Sequence, residues 1–463
     1  MMIRKRWQLT STFALLVMAL MSSCGTIPDA AALLHTNPLY LVVPRFVGPE
    51  GPLTARQAQR VIAHLQEHQE TPTDILQRHL AFEQALTSVP LTVGNKVTLL
   101  KDGPATYQAM LAAIHSARET ISVQMYTFSD GPIGQMFANA LSERQEHGIQ
   151  VSLMYDGLGS LGTPATFFEA LQQKGIAIAQ YRPVSLFSAK LPETLMHRTY
   201  RKMLIVDGRI AFTGGINISE VYASGLGSSG QKISQTSWRD TDIAVEGPAV
   251  AEIQRLFIGE WKHQKGPPLC SCNYFPKIER QGDDIVRVIG SVPERFNPIY
   301  VTFISAITNS ETSVYITDAY FAPDHQMLHA LERAARRGID VRILLPSQSD
   351  EPLIVSAARS HYHALLKAGV KIYEWQGEML HAKTATVDGV WSTVGSSNLD
   401  WWSIARNNEI NAIVLSHVFA DEMGAMFRND LENSQQIELE SWRNRSLRER
   451  LNETIAGVVE PML

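Results

Sequence analysis

The residues best suited to chemistry are His381, Lys383 and Asp388, spaced His-x-Lys with an aspartate five positions past the lysine. In an extended strand, side chains at i and i+2 share a face, so His381 and Lys383 are expected to point into one site. A neutral imidazole is nucleophilic near pH 7 and can attack phosphorus to give a readily broken P–N bond. A lysine beside it can hold the negative charge on the non-bridging phosphate oxygens through the transition state. Asn398, after the turn Gly395-Ser-Ser, can donate to the same oxygens. Asp388 completes the motif and is counted with it, although a regular strand puts it on the other face, where it would brace the turn before Gly389. One isolated His-x-Lys would mean little.

A second copy makes the pattern specific. Tyr200-Arg-Lys202 and Asp207 repeat the spacing, with tyrosine in the histidine position, and Gly214-Gly-Ile-Asn217 repeats the glycine turn. The interval from Lys202 to Asn217 equals that from Lys383 to Asn398. Asn217 is therefore the counterpart phosphate donor. His197 lies three residues before Tyr200, on the opposite strand face and roughly 10 Å away at ~3.3 Å per residue, so it reaches the site only through a bulge.

The elements that must position these residues also repeat. Ile121–Phe128 reads as a strand, a helix ends at Gly148, and Ile149–Tyr155 reads as the next strand, with Asp156 and Gly157 opening a loop. In the second half, Val314–Phe321 is a strand, a helix ends at Gly338, and Ile339–Leu345 follows. A glycine after a helix is a C-terminal stop signal, and the apolar runs suit buried parallel strands. The expected fold is α/β: two tandem domains with mixed, largely parallel sheets, packed as a pseudo-dimer around one site at their interface. The expected boundaries are 95–265 for the first domain, 266–284 for a linker beginning Gly266-Pro267-Pro268, and 285–463 for the second, which ends in a charged helix over Leu439–Leu451. Residues 24–94 precede the repeat, with a helix over Thr54–His68 packed on the first domain.

With 45% hydrophobic and 19% charged residues, the chain reads as globular rather than disordered. Its formal net charge of -5 argues against a nucleic-acid partner. Residues 1–23 read as an export signal: Arg4, Lys5 and Arg6 precede an apolar run over Thr12–Met21 that is too short for a mature span. Ser22 and Ser23 before Cys24 resemble a bacterial lipoprotein signal, with Cys24 as the acylated residue. This places the protein in the cell envelope on the periplasmic side, attached to the membrane. Cys270 and Cys272 remain, either bonded to each other or as two thiols in a loop. No acidic cluster has the spacing of a divalent-cation site, so neither metal nor cofactor is expected.

On these motifs the sequence resembles the phospholipase D superfamily and, within it, the bacterial cardiolipin synthases, over roughly residues 95–435. The resemblance extends to Tyr155-Asp-Gly-Leu-Gly-Ser160, Trp238-Arg-Asp240, Tyr320-Phe-Ala-Pro-Asp324, Arg337-Gly-Ile-Asp-Val-Arg342 and Gly395-Ser-Ser-Asn-Leu-Asp400. It implies a metal-free, two-step transfer in which one histidine becomes phosphorylated and the other protonates the leaving alcohol and then activates the acceptor. It further implies phospholipid substrates, typically phosphatidylglycerol as acceptor with release of glycerol. An acid is expected beside each histidine to fix its tautomer, with Asp240 matching the first position and Glu409 the second. Where the family has its first histidine, this chain has Tyr200. Three readings stand: His381 attacks while Tyr200 or water does weakened acid–base work; Tyr200 itself attacks with His381 as base; or the site is inactive. Water as acceptor, giving a phospholipase or other phosphodiesterase, and a non-catalytic lipid-binding protein are the alternative functions. After the second motif, Trp401-Trp402 is expected either at a membrane interface or buried against the other domain.

Overall fold

The computed structural model describes residues 29, 44–66, 75–87, 89–184, 196–223, 237–292, 297–446, 450, 453 and 455–457. The expected signal segment and Cys24 lie outside them. The first half contributes β1 (Phe46–Gly48), β2 (Gly51–Pro52), β3 (Leu91–Lys101), β4 (Thr120–Met125), β5 (Gln150–Asp156), β6 (Ala177–Tyr181), β7 (Met203–Val206), β8 (Ile210–Gly214) and β9 (Thr241–Glu246). The second contributes β10 (Asp284–Gly290), β11 (Ser313–Thr317), β12 (Asp340–Pro346), β13 (Lys371–Trp375), β14 (Thr384–Val387), β15 (Trp391–Gly395), β16 (Ile410–Leu415) and β17 (Ser434–Ile437).

Ladder pairing gives the order β3-β9-β8-β7-β4-β5-β6 in one half. The other half repeats it as β10-β16-β15-β14-β11-β12-β13, with β17 added at the edge. The sheets are mixed, as expected, but the parallel share is smaller than the alternation of strands and helices suggested. Within these two orders only β4-β5-β6 and β11-β12-β13 are parallel. The remaining strands run antiparallel to their neighbours, and the pairs β7-β8 and β14-β15 are joined by short hairpins, which need no helical crossover.

β3 joins the halves. Its last six residues pair with β9, while Thr92 and Asn95 pair with β10. A boundary at residue 95 therefore cuts through a strand. The N-terminal segment also packs elsewhere than expected. Phe46, Ala58, Leu65, Leu80 and Phe82 join a core with Ile299, Phe303, Ile316 and Trp391 of the second half, not the first. A buried polar knot fixes that contact: Glu83 accepts from Arg287 Nη1 at 2.5 Å and meets His79 Nε2 at 2.9 Å and Trp391 Nε1 at 3.3 Å. The segment's helix covers Ala55–Gln66.

Both anticipated glycine stops are real, with Gly148 at φ +86° and Gly338 at φ +92°, a region that L-residues with a Cβ avoid. β4 and β11 stop sooner than the apolar pattern suggested, at Met125 and Thr317. β5 runs one residue longer: Asp156 is its last rung, opposite Tyr181, rather than the start of a loop. It is buried and takes the Arg198 guanidinium, Nη2 to Oδ1 at 2.6 Å. No helix or strand occurs between His263 and Asp284, and there Cys270 and Cys272 are joined by a disulfide. Of the charged C-terminal helix expected over Leu439–Leu451, Leu439–Arg443 is helical, and residues 447–449 and 451 of that stretch are not described. Among the described residues no helix is long and apolar enough to cross a membrane.

Candidate active site

The two motifs enter the site just before β7 and β14, not within the ladders as first expected. Each leading segment pairs instead with the other half of the molecule. Thr199 bridges Asn408, and Leu380 bridges Arg239. Tyr200 N donates to Asn408 O at 2.9 Å, and His381 N donates to Arg239 O at 2.7 Å. These two symmetric seams bring together side chains far apart in sequence.

Their consequence is an exchange of acids. Asp240, from the first half, meets His381 of the second, Oδ2 to Nδ1 at 2.7 Å. Glu409, from the second half, faces the Tyr200–Lys202 segment and interacts electrostatically with both side chains, while burial raises its own carboxyl to about 8. Asp240 is held by the Thr241 amide at 2.7 Å. A Cβ on Gly215 would collide with its Oδ1, which explains the second glycine of that turn. Ser396 occupies the equivalent place in the other half, and its hydroxyl donates to Glu409 Oε2 at 2.5 Å. Glu409 Oε1 is buried without a hydrogen-bond partner among the described residues.

His381 is 8% exposed. Burial, reinforced by Lys383 and opposed by Asp240, pushes its pKa down to about 4, so the ring is neutral at pH 7. A neutral ring that bonds a carboxylate through Nδ1 carries its proton there, leaving the Nε2 lone pair available. Tyr222 Oη lies 3.3 Å from the same Nδ1. The rings of Tyr222, Trp238 and Tyr320 surround the imidazole at 5.3–5.9 Å. Trp238 and Tyr320 fall within recognisable sequence motifs, whereas nothing in the sequence singled out Tyr222.

Lys202 and Lys383 are both buried, and each Nζ donates to the carbonyl two residues back, Tyr200 O at 2.7 Å and His381 O at 2.5 Å. Burial lowers both, Lys202 to about 8. Lys202 Nζ lies over the rings of Tyr200 and Tyr126, and Lys383 Nζ over that of Tyr320. Tyr200 stacks on Tyr126 at 4.2 Å, and burial holds its pKa well above the usual phenol value. It is thus a protonated phenol, which can donate a proton but is a poor nucleophile.

The remaining candidates divide. Asn398 lines the cavity; its Nδ2 donates to Ser403 Oγ at 3.4 Å, and its Oδ1 is unpartnered among the described residues. Asn217 is committed internally: Oδ1 accepts from Thr127 N at 3.0 Å and Nδ2 donates to Tyr222 Oη at 3.2 Å. Asp207 and Asp388 do not belong with the reacting groups. They lie at the other ends of β7 and β14 and accept the backbone N–H groups of Arg118, Glu119 and Thr120, and of Glu311, Thr312 and Ser313. Both sit at positive φ, 53° and 52°, each followed by a glycine at φ +60°. This tight turn is the bracing role expected for Asp388. His197 is buried with Nδ1 3.3 Å from Arg406 O.

A cavity of about 290 Å³ opens beside Tyr200, lined by Tyr320, Glu351, Asn398, Asp400 and Trp402 among others. Trp401 and Trp402 are half-buried, and Trp402 walls this cavity. Asp400, whose carboxyl burial raises to about 6, caps the short helix Trp401–Ala405 through Ser403 N at 2.7 Å. No group of three or more His, Cys, Asp or Glu among the described residues is disposed to hold a metal ion.

Two repeated seven-strand sheets, with a His-x-Lys and its counterpart meeting at their junction, define a phospholipase D-type protein. The crystal structure of phosphatidylserine synthase from Haemophilus influenzae has the same fold, with a TM-score of 0.62 over 82% of this chain and 99% of that one at 11% identity. The family described as "Cardiolipin synthase, PLD-like domain" matches residues 110–225 and 303–431. A cardiolipin synthase of Halalkalibacterium halodurans is 34% identical over 82% of this chain and 74% of its own length. One from Alkalihalophilus pseudofirmus is 33% identical over 81% and 73%. The chain belongs to the cardiolipin synthase-like branch of the phospholipase D family.

Proposed function

We propose that the protein transfers a phosphatidyl group between phospholipids, with His381 as nucleophile and phosphatidylglycerol as acceptor. The observation that carries this is the Asp240–His381 pair, which frees Nε2 of a neutral imidazole beside two buried lysines. In the first step the Nε2–P bond forms and the P–O bond to the donor's headgroup breaks. The leaving alkoxide takes a proton from the Tyr200 phenol or from water in the cavity. In the second step the acceptor hydroxyl gives its proton to the Tyr200 phenolate, or to the hydroxide, left by the first step; its oxygen attacks phosphorus, and the N–P bond breaks. Lys202 and Lys383 balance the phosphate charge throughout. Asn398 can donate to the same oxygens. Lipid attachment at Cys24 would keep the protein at the periplasmic face of a bacterial membrane, where its substrates lie.

Tyr200 makes this a slow transferase. Its phenol resists losing a proton, so protonation of the leaving alkoxide is the weakened step, and its own attack on phosphorus is disfavoured for the same reason. The deciding experiment gives the purified full chain phosphatidylglycerol vesicles, alongside Tyr200→His. Cardiolipin with glycerol supports the assignment, and a gain on Tyr200→His identifies the position as the defect. Phosphatidic acid would mean that water is the acceptor. No product from either protein would leave a lipid-binding role.

A further inference from the structure

The two half-sites share a fold but differ in what surrounds the reacting residue. Tyr222 lies five residues past Asn217, as Ser403 lies five past Asn398, and each asparagine Nδ2 donates to the hydroxyl of that residue, at 3.2 Å and 3.4 Å. Trp238 lies two residues before Asp240, as Asn407 lies two before Glu409. Beside His381 both positions are aromatic, and the rings of Tyr222 and Trp238 pack around the imidazole at 5.9 Å and 5.3 Å. Beside Tyr200 the same positions hold a serine and a short amide, and there the cavity of about 290 Å³ opens, with Ser403 and Asn407 in its wall. We propose that this cavity binds the glyceryl headgroup of phosphatidylglycerol, first as the leaving alcohol and then as the acceptor, and that Asn398 and Asn407 select it through its hydroxyl groups. The inference rests on the reading that phosphatidylglycerol is the substrate.

The wall offers hydrogen-bonding groups that the protein itself does not use. Asn398 is 2% exposed, and its Oδ1 has no partner among the described residues. Asn407 is 4% exposed. Its backbone is engaged, N–H with Trp402 O at 3.0 Å and carbonyl with Ser291 Oγ at 3.4 Å, but its side-chain amide has no hydrogen-bond partner among the described residues. An alcohol with several hydroxyls can donate to Asn398 Oδ1 and can both donate to and accept from the Asn407 amide. An acyl chain in the same place would leave these buried polar atoms unpaired. At about 290 Å³ the cavity is at the small end of ligand sites, which run to about 300–1,000 Å³, so it suits a headgroup rather than a whole lipid. An ammonium headgroup would need a buried, unpaired acid. Asp400 already accepts from Ser403 N at 2.7 Å and Ser403 Oγ at 3.3 Å, and Glu351 is exposed to water.

The position agrees with an in-line displacement. When His381 Nε2 attacks phosphorus, the leaving oxygen departs from the opposite side. Tyr200 is the counterpart of His381 across the junction of the two halves, so that departure is toward Tyr200 and the cavity beside it. Tyr320 connects the two places: it stands in the cavity wall, and its ring lies 5.9 Å from the imidazole. The acceptor oxygen must then approach the phosphoenzyme along the line the leaving oxygen took. One headgroup site therefore serves both steps, which suits a transfer in which donor and acceptor carry the same glyceryl group.

The test is calorimetric binding of two soluble lipids, dihexanoyl phosphatidylglycerol and dihexanoyl phosphatidylpropanol, to the full chain carrying His381→Asn. The lipids differ only in the headgroup hydroxyls, and without the nucleophile neither headgroup is lost during the titration. Phosphatidylglycerol should bind at least ~fivefold more tightly. Adding Asn407→Leu should remove most of that preference. Ser403→Tyr, which puts a ring where the other half has one, should weaken phosphatidylglycerol at least ~tenfold, with an unaltered thermal melt. Equal binding of the two lipids, no binding of either, or a preference that survives Asn407→Leu overturns the proposal. Tighter binding of dihexanoyl phosphatidylethanolamine also overturns it, because the cavity would then be a site for an ammonium group. Turnover of phosphatidylglycerol vesicles by the wild type is measured alongside. No product there, with the hydroxyl preference intact, refutes the transferase reading and leaves the headgroup site standing.

Discussion

Replacing Asp240 by asparagine tests the exchange of acids between the two halves. The Asp240→Asn side chain would keep the shape, and its carbonyl oxygen could still accept the Thr241 amide. Its NH2 group would then face His381 Nδ1, which lies 2.7 Å from the present carboxylate oxygen. An N–H donor there makes Nδ1 an acceptor and moves the ring proton to Nε2, which blocks the attacking lone pair. The analogous change in hydrolytic triads costs ~10⁴-fold in kcat, so a fall of about 10³–10⁴-fold is expected here, equivalent to about 4–5.5 kcal/mol of transition-state stabilisation. KM should move little, because the ring would still fill its site. Glu409→Gln should cost less than ~tenfold, because the group it faces is a phenol that needs no tautomer fixed. The assay is phosphatidyl transfer by each purified variant, with a thermal melt to confirm folding. If Asp240→Asn stays within tenfold of wild type, or Glu409→Gln is the more damaging change, the assignment of Asp240 to His381 is wrong.

Three further outcomes are expected. The kcat/KM profile should fall below about pH 4, where His381 takes up a proton, and above about pH 8, where Lys202 loses one; an acid limb near 6.5 would mean that burial does not depress the imidazole. Asp242 is buried, with its carboxyl raised to about 8. Its folded pKa lies above the unfolded one, so its contribution is full below about 3.8 and is lost as pH rises through about 8; urea melts of Asp242→Asn should therefore show a flatter decline with pH, and an identical decline would refute this. Glu83→Ala should cost ~3–5 kcal/mol in urea unfolding, because it leaves the Arg287 charge buried and unpaired; a cost under ~1 kcal/mol would mean that the knot does not hold the N-terminal segment to the second half.

Much of the molecule was legible in the sequence because its signals are local. The repeat, the glycine stops and the hydrophobic runs need only neighbouring residues to show themselves, and the matching Lys202–Asn217 and Lys383–Asn398 intervals located both half-sites. The bracing role of Asp388 also follows from its place beside Gly389. Other features depend on contacts between distant segments. No pattern in residues 44–90 revealed that Phe46 and Leu80 pack with Phe303, because an apolar face does not specify which apolar face will cover it. Sheet direction depended on hairpins as well as helical crossovers, so the parallel share was overstated. The chemistry turns on the most remote of these contacts. Sequence order alone placed Asp240 with the first motif and Glu409 with the second. Backbone pairing across the two halves, Arg239 with Leu380 and Thr199 with Asn408, reverses that assignment, giving the histidine its carboxylate from the other half and facing Tyr200 with an acid that has no imidazole to orient.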